Sequence, residues 1–377
     1  MSTAVAPAEA RQVFAEFANQ HVAPHAATAD RTGELDPTVI RALRERGFLS
    51  GFLPTEWGGL GMDSVTYGVL TGEVARVCSA ARTLLTVQGL VATAVLRWGS
   101  ADMRRSLLPE LASGRQLAAF ALSEPRAGSD AGTLETQIRR SDGDLIISGE
   151  KSWVSFGQTA DVFLLFGRSA EGVTAVLVPG GSRNLMREPV RTMVGARGAG
   201  MAHLKLDNCR VPAQSVVGRP GFGLSHVAAH ALDYGRYSVA WGAVGIIDAA
   251  LQACLKFARE RPVRSALLKD QPLMRGRLTR MAASARAARL LCMEAGRLRD
   301  MNAVSATTET MIAKYFSSKS AVQAANEAVQ IHGARGLLEE AGIERLLRDA
   351  KVTEIIEGSS DTLELLLGDL DLGDPND

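Results

Sequence analysis

Polar residues suited to chemistry are concentrated in three short segments of the chain. Residues 120–130 (FALSEPRAGSD) run from an apolar stretch into a turn rich in Pro, Gly, Ser and Asp. Hydroxyls and backbone amides crowd such a turn, and the polar binding of a planar or phosphorylated ligand requires those groups. This segment predicts a ligand-binding loop.

The second segment, residues 151–155 (KSWVS), combines a large flat side chain with a hydroxyl. Side chains two positions apart in a strand point to the same side, so Trp153 and Ser155 are predicted to meet one ligand. Taken alone, the pair favours a plainer interpretation, a core tryptophan followed by a surface serine.

The third segment, residues 350–360 (AKVTEIIEGSS), contains a carboxylate in apolar surroundings. Glu357 follows two isoleucines, and such neighbours raise a carboxyl pKa toward that of a useful general base. Gly358 removes bulk where a substrate could approach the backbone. The alternative is a structural glutamate that caps a helix beginning near Ser359.

The periodicity of apolar residues changes twice along the chain. A helical period covers the first third, with helices predicted at 63–78, 80–98 and 101–112, and a short one after the N-cap Asp36. Short β-like runs fill 117–217, and the helical period returns at 223–259, 272–300, 304–331 and 341–350. This order predicts an α+β fold with an N-terminal α-helical domain (1–116), a middle β domain (117–218) and a C-terminal α-helical domain (219–377).

Charge and composition exclude several classes of protein. The 42 basic and 41 acidic residues give a net charge of +1, so no basic field exists to hold a nucleic acid. No secretory signal opens the sequence, and four widely spaced cysteines read as reduced thiols, so a cytoplasmic location is expected. One apolar segment, 238–256, is long enough to be weighed as a membrane span, but Asp248 within it favours the central helix of a bundle.

Two weaker sequence patterns do not indicate an active site. Residues 148–151 (SGEK) fit the S-x-x-K pattern of serine enzymes, but Gly149 predicts a β-turn there instead of the helix start that this chemistry needs. His226, His230 and Asp233 share a helical face, yet no further metal ligand accompanies them, and we expect no metal site.

Taken together, the three segments resemble motifs of the acyl-CoA dehydrogenase family, and they occur in the same order. The C-terminal signature of that family is similar to residues 330–336 (QIHGARG), 344–350 (ERLLRDA) and the pair Glu357-Gly358. The resemblance covers nearly the whole chain. It implies an N-terminal helical bundle, a middle β-barrel or sandwich and a C-terminal four-helix bundle. It also implies FAD as cofactor, an acyl thioester substrate, an electron-transfer flavoprotein or similar acceptor, and a homodimer or homotetramer.

The resemblance also assigns roles to individual positions. Glu357 would be the catalytic base, and Ser129, Arg236 and Gly358 would bind the substrate. Residues expected to bind the subunit's own FAD are Phe120, Leu122, Ser123, Trp153, Ser155, Ser359 and Asp361. Residues expected to reach the FAD of a neighbouring subunit are Arg261, Gln271, Gln330, Gly333 and Ala334.

Departures from the family pattern refine these expectations. The Arg-x-x-Phe-Gly signature has become residues 261–265 (RPVRS), which puts the pyrophosphate contacts in doubt. Some members of the family carry the catalytic base at the position that Gly235 occupies here. Because glycine has no carboxylate, no second residue competes with Glu357 for this role. Residues 234–242 (YGRYSVAWG) and 354–360 look closest to carrier-protein-linked dehydrogenases that make hydroxy- or methoxymalonyl extender units for polyketides. The alternatives are an ordinary short- or branched-chain acyl-CoA dehydrogenase and an oxygen-using flavin enzyme of the same fold.

Overall fold

Helices form the first part of the chain in the computed structural model, which describes residues 7–371. Asp36 and Asp63 accept hydrogen bonds from the backbone N–H groups of Thr38 and Thr66, so each caps the helix that follows it. The predicted cap at Asp36 is thus confirmed. The helices are α1 (Pro7–Phe17), α2 (Ala23–Thr32), α3 (Pro37–Glu45), α4 (Ser64–Val77), α5 (Ser79–Trp98) and α6 (Ala101–Ser113).

The middle part of the chain forms one eight-stranded sheet. Its strands follow the order β6-β7-β3-β2-β4-β5-β8, and β1 pairs in parallel with β4. The strands are β1 (Ala118–Ala121), β2 (Gln137–Ser141), β3 (Asp144–Val154), β4 (Val162–Ser169), β5 (Gly172–Pro179), β6 (Leu185–Pro189), β7 (Ala202–Pro212) and β8 (Val216–Val217).

Two features of this sheet differ from the sequence-based prediction. The sequence did not reveal β2 and β6, because these strands are largely polar and partly exposed. The β-turn predicted at Gly149 is wrong, since residues 148–151 lie inside β3. The register with β7 shifts there, between Ile147 and Gly149, and this irregularity accommodates the glycine within the strand.

The last part of the chain is again helical, apart from a small hairpin between the first two helices. The helix α7 crosses the others and packs against α8, α9 and α10, which completes a four-helix bundle. The elements are α7 (Ala229–Glu260), β9 (Pro262–Val263), β10 (Ala266–Leu267), α8 (Pro272–Asp300), α9 (Ala306–His332), α10 (Ile343–Ile355) and α11 (Ser360–Asp371).

Within residues 7–371, two helices are long and apolar enough to cross a membrane, but both are core helices of this fold. In their most apolar stretches, 94% of the residues in α5 and 72% in the helix over 223–260 are buried inside the protein. Only the second of them was recognised from the sequence as a candidate span. Because the two helices pack against each other, their apolar faces are covered by protein.

Glycines allow α7 to lie very close to α4. A Cβ added at Gly68 would stand 2.1 Å from Nε1 of Trp241, and one added at Gly245 would stand 2.2 Å from the carbonyl oxygen of Gly72. Neither position has room for a methyl group. The position of α7, and of every functional group on it, therefore depends on these small residues.

We predict that Gly245→Ala destabilises the protein by about 1–3 kcal/mol, because the added methyl group must push α7 away from α4. The matched control is Gly276→Ala in α8, where the nearest atom to an added Cβ is the flexible end of Arg280 at 3.6 Å. That substitution should stabilise by about 0.5–1 kcal/mol through helix propensity. Urea unfolding measures both, and equal effects would show that the α4–α7 contact is not tight.

Candidate active site

The first two polar segments of the sequence lie side by side. The backbone N–H of Ser152 donates a 2.8 Å hydrogen bond to the carbonyl oxygen of Ser123. Nζ of Lys151 donates to the carbonyl oxygen of Leu122 at 3.1 Å. The loop after β1 is thereby fixed against β3, so Ser123 and Trp153 lie close to each other.

A buried ion pair that the sequence analysis missed fastens this junction. Nζ of Lys151 lies 2.6 Å from Oε1 of Glu124, and both side chains are buried. Glu124 also accepts from the backbone N–H groups of Glu135 and Thr136, at 2.5 and 3.1 Å. Burial lowers the pKa of Lys151 to about 8, although the Glu124 carboxylate opposes this change. The pair holds the shape of the loop that carries Ser123.

Trp153 and Ser155 do not share a strand face, so that prediction is wrong. The strand β3 ends at Val154, and Trp153 has the left-handed φ of 60°. The indole is 55% exposed and rests against the ring of His203, at a centroid distance of 4.8 Å. The interpretation as a core tryptophan is excluded as well, because more than half of the side chain is exposed. Its flat face is therefore available to a ligand.

Glu357 lies in the break between α10 and α11, as the sequence predicts. Glu357 and Gly358 both adopt left-handed φ values, 57° and 92°. Two cations fix this loop: Nε of Arg236 donates to the carbonyl oxygen of Glu357 at 3.1 Å, and Nζ of Lys314 donates to that of Gly358 at 2.6 Å. A non-glycine residue in this conformation is strained, and such strain is common at functional sites.

The carboxylate of Glu357 is buried and incompletely paired. Its Oε2 has no hydrogen-bond partner among the residues that the structure describes, and a Cβ added at Gly235 would lie 2.5 Å from it. Burial raises the pKa of Glu357 to about 7, against the opposing charges of Arg236, Lys314 and Arg82. A group that titrates there can accept a proton at neutral pH.

The helix-capping alternative for Glu357 is wrong. The hydroxyl of Ser359 caps α11 by accepting a 3.1 Å hydrogen bond from the backbone N–H of Thr362. Asp361 is exposed in the first turn of that helix. Among the described residues, no structural hydrogen bond therefore explains the position of the Glu357 carboxylate.

The remaining predicted residues occupy two other places. Ser129 is exposed in the loop between β1 and β2. The end of α7 meets the end of α9 through stacked rings of Phe257 and His332, 4.4 Å apart. Around that junction lie the residues predicted to reach a neighbouring subunit, Arg261, Gln271, Gln330, Gly333 and Ala334, and all but Gln271 are exposed.

The His226, His230 and Asp233 face is used in another way. Asp233 pairs with Arg299, and burial lowers the pKa of His230. Within residues 7–371, no group of three or more His, Cys, Asp or Glu side chains is arranged to hold a metal ion.

Comparison with known proteins identifies the family. The sequence matches the acyl-CoA dehydrogenase N-terminal domain over residues 7–115, the middle domain over 119–209 and the C-terminal domain over 223–369. The chain belongs to the acyl-CoA dehydrogenase family. It is thus an oxidoreductase that acts on the CH–CH bond of acyl thioesters, and the α+β fold and the family resemblance predicted from sequence are confirmed.

Individual relatives come from both branches considered above. The chain is 35% identical to a probable acyl-CoA dehydrogenase of Bacillus subtilis, over 95% of each protein. It is 32% identical to the mouse mitochondrial short-chain specific acyl-CoA dehydrogenase, over 95% of this chain and 88% of that protein. A solved structure, FkbI for biosynthesis of the methoxymalonyl extender unit of a polyketide, is 33% identical with a TM-score of 0.89, covering 97% of this chain and 100% of that one.

Enzymes of this family use FAD, and the residues of this chain fit a flavin. The exposed indole of Trp153 offers an apolar face of the size of a ring system. The hydrogen bond between Ser152 and Ser123 places a hydroxyl-bearing loop beside that face. Phe120, Leu122, Ser123, Trp153 and Ser155 are the residues that would hold the ring.

We predict that Glu124→Gln destabilises the protein by about 3–5 kcal/mol, because it leaves the Lys151 ammonium buried without a counter-charge. Adding Lys151→Met should recover most of this loss, since no lone charge remains. The matched control, Glu364→Gln, breaks an exposed pair with Lys319 and should cost at most about 1 kcal/mol. Urea unfolding of these three variants and of Lys151→Met alone measures the losses, and additive losses for Glu124 and Lys151 would contradict the pairing.

Proposed function

We propose that this protein is an FAD-dependent dehydrogenase in which Glu357 removes the α-proton of an acyl thioester. The observation that supports this role best is the buried Oε2 of Glu357, which has no partner among the described residues and lies against Gly235. Because position 235 has no Cβ, α7 can lie against that oxygen, and no described side chain pairs with it. A substrate α-carbon that reached this oxygen would meet a base with no competing partner.

The surrounding residues prepare Glu357 for this step. Arg236 and Lys314 fix the backbone of the loop, so the carboxylate keeps one orientation. Burial keeps water from the base, which raises its proton affinity. The backbone N–H of Glu357 would polarise the thioester carbonyl and make the α-proton more acidic. Bound FAD supplies the acceptor for the β-hydrogen as hydride. With a hydroxylated acyl group, the same base would serve the oxidation of a C–O bond.

The substrate is proposed to be carried on an acyl carrier protein in the synthesis of a polyketide extender unit. The support is the likeness to FkbI over nearly the whole chain, together with the segments 234–242 and 354–360. The alternative is an ordinary short- or branched-chain acyl-CoA dehydrogenase of catabolism, which the Bacillus and mouse relatives favour. The retained Glu357 weighs against an oxygen-using oxidase or monooxygenase. Electrons would leave through an electron-transfer flavoprotein or a similar acceptor.

We further propose a homodimer or homotetramer. The C-terminal part of the chain exposes several large apolar side chains. Single exposed leucines are normal on a monomer, but a group of them favours a subunit interface. They are Leu273, Leu290, Leu337, Leu338 and Leu365.

For Glu357→Gln we predict retained flavin and a reductive half-reaction slower by about 10²–10⁴-fold, as expected for loss of a general base. In the unsubstituted enzyme, flavin reduction should accelerate as the pH rises through about 7, since the carboxylate must be ionised to accept the proton. Anaerobic stopped-flow bleaching of the flavin measures both. Glu354→Gln, which alters a carboxylate paired with Lys351, is the control and should leave the rate unchanged. A Glu357→Gln rate within about tenfold of the original would assign the base elsewhere.

A cognate carrier-protein thioester should reduce the flavin at least about ten times more efficiently than the matching CoA thioester. The preference should weaken with salt, because steering between charged proteins is screened over about 10 Å at 0.1 M. Parallel stopped-flow series with the two carriers measure it. Equal efficiency at every salt concentration would favour the catabolic alternative.

Light scattering of the flavin-loaded protein should give the mass of a dimer or tetramer. The reason is that Arg261, Gln330 and Gly333 are exposed at the end of the bundle, where a second subunit would bring its flavin. A monomer that keeps its flavin would contradict this assembly.

A further inference from the structure

A turn between β6 and β7, formed by residues 196–199, is held by hydrogen bonds on both of its sides. On one side, the backbone N–H of Phe156 donates to the carbonyl oxygen of Ala199 at 2.6 Å. On the other side, the backbone N–H of Ala196 donates to Oδ1 of Asp349 on α10 at 2.7 Å. The backbone N–H of Ala199 closes the turn by donating to the carbonyl oxygen of Ala196 at 2.9 Å. One series of hydrogen bonds therefore runs from Phe156 to α10.

The two ends of this series belong to the two halves of the proposed active site. Phe156 directly follows the segment with Trp153 and Ser155, the residues that would lie against a flavin ring. Asp349 lies on α10, and this helix ends two residues before Glu357. The turn therefore lies between the segment expected to hold the flavin and the helix that carries the proposed base at its end.

The turn fits closely against α10. A Cβ added at Gly195 would lie 2.4 Å from the carbonyl oxygen of Arg348. Nη1 of Arg348 donates to the carbonyl oxygen of Val194 at 2.9 Å. Ala196 has a left-handed φ of 51°, which is strained for a residue with a Cβ. Within residues 7–371, the bonds from Ala196 and from Arg348 are the hydrogen bonds that join α10 to the sheet and its loops.

Packing alone does not account for an aspartate at position 349. The side chain is buried, and burial raises the pKa of Asp349, so the fold disfavours its charged form. The charges of Arg345 and Arg348 oppose this change without cancelling it. An apolar side chain would avoid the charge, but it would leave the N–H of Ala196 buried without an acceptor. The contribution of Asp349 is thus its hydrogen bond to the turn.

We propose that Asp349 is a positioning residue that sets the separation between the flavin and the base Glu357. This inference rests on the proposed dehydrogenase function. The reaction takes a proton from one substrate carbon and a hydride from the next, so the base and the flavin must face two neighbouring carbons at once. A misplacement of about 1 Å costs about 100-fold in rate in such an arrangement. Asp349 touches neither substrate nor flavin, and it acts through the turn.

Two rates measured on the same flavin-loaded enzyme separate positioning from general damage. Exchange of the substrate α-protons with D₂O requires the base alone, whereas anaerobic bleaching of the flavin requires the base and the flavin together. The probes are butyryl, isobutyryl and 3-hydroxypropionyl thioesters on CoA and on carrier protein. The thioester that bleaches the flavin of the unsubstituted enzyme fastest is then used for all variants. NMR follows the exchange, and stopped-flow absorbance follows the bleaching.

Asp349→Leu removes the acceptor for the N–H of Ala196. It should slow bleaching about 100-fold and keep α-proton exchange within about threefold of the original rate. Asp349→Asn keeps an acceptor oxygen at the same place and should restore bleaching to within about threefold. A readout without turnover is the pH dependence of stability, which reports the pKa of Glu357. It should be the same in Asp349→Leu as in the unsubstituted protein, because the surroundings of the base are not altered.

Asp248→Asn is the control for general destabilisation. Asp248 is a buried carboxylate on α7 that pairs with Arg11 and Arg289. It lies thirteen residues along the helix from Gly235, which is roughly 20 Å from the contact with Glu357. Its substitution should lower the unfolding temperature, because it breaks a largely buried pair, and it should leave the ratio of the two rates unchanged.

A second variant tests the same contact if Asp349→Leu does not fold. In Gly195→Ala, the added methyl group must push the turn away from the carbonyl oxygen of Arg348, so bleaching should slow more than exchange does. The matched control is Gly181→Ala between β5 and β6, where no atom lies within 4 Å of an added Cβ. That substitution should change neither rate.

The outcomes are distinguishable. If bleaching and exchange fall together in Asp349→Leu, or if neither falls, the inference is overturned while the dehydrogenase function stands. Bleaching as slow in Asp349→Asn as in Asp349→Leu also overturns it, because the hydrogen bond to the turn would not be the cause. If no thioester bleaches the flavin of the unsubstituted enzyme, the proposed function itself fails and the inference fails with it.

Discussion

One buried carboxylate determines what the rest of this protein must do. Glu357 has an oxygen that finds no hydrogen-bond partner in the described structure, and burial holds its pKa near 7 instead of the ordinary 4.5. That difference corresponds to about 3 kcal/mol by which the ionised side chain disfavours the folded state at neutral pH. The same free energy favours the protonated form, which makes the carboxylate a stronger base. The burial that lowers the stability of the fold therefore raises the reactivity of Glu357.

The bundle around Glu357 is organised to hold this unfavourable group in place. Its left-handed backbone is fixed by hydrogen bonds from Arg236 and Lys314, which come from two different helices. The helix α7 can approach the carboxylate because position 235 has no side chain. The close α4–α7 contact at Gly245 fixes where that helix lies. Backbone strain, cation placement and glycine positions thus serve one local arrangement.

The sequence predicted the elements of this fold well and their contacts less well. Helices such as α8 (Pro272–Asp300) were predicted to the residue, because apolar periodicity and helix caps are local properties of the chain. Glu357 was predicted as a buried base in an interhelical break, since two isoleucines and a glycine surround it. Arg82, Lys314 and Lys151 were missed, because each is identified by partners more than 25 positions away or by the lack of them. The chain has only seven lysines, and two of them are fully buried. The rarity of lysine was therefore a signal in the sequence that individual lysines could have structural roles.

The role of Glu357 as a base depends most on its pKa, which the pH dependence of stability measures without any substrate. The measurement is the free energy of unfolding of the flavin-loaded protein and of Glu357→Gln between about pH 5 and pH 8. A carboxyl whose pKa is raised on folding is more protonated in the native state, so stability falls as the pH rises from 4.5 toward about 7. Relative to the glutamine variant, the unsubstituted protein should therefore lose about 3 kcal/mol across this interval. A difference that does not change with pH would show an ordinary, solvated carboxylate and contradict its role as the base.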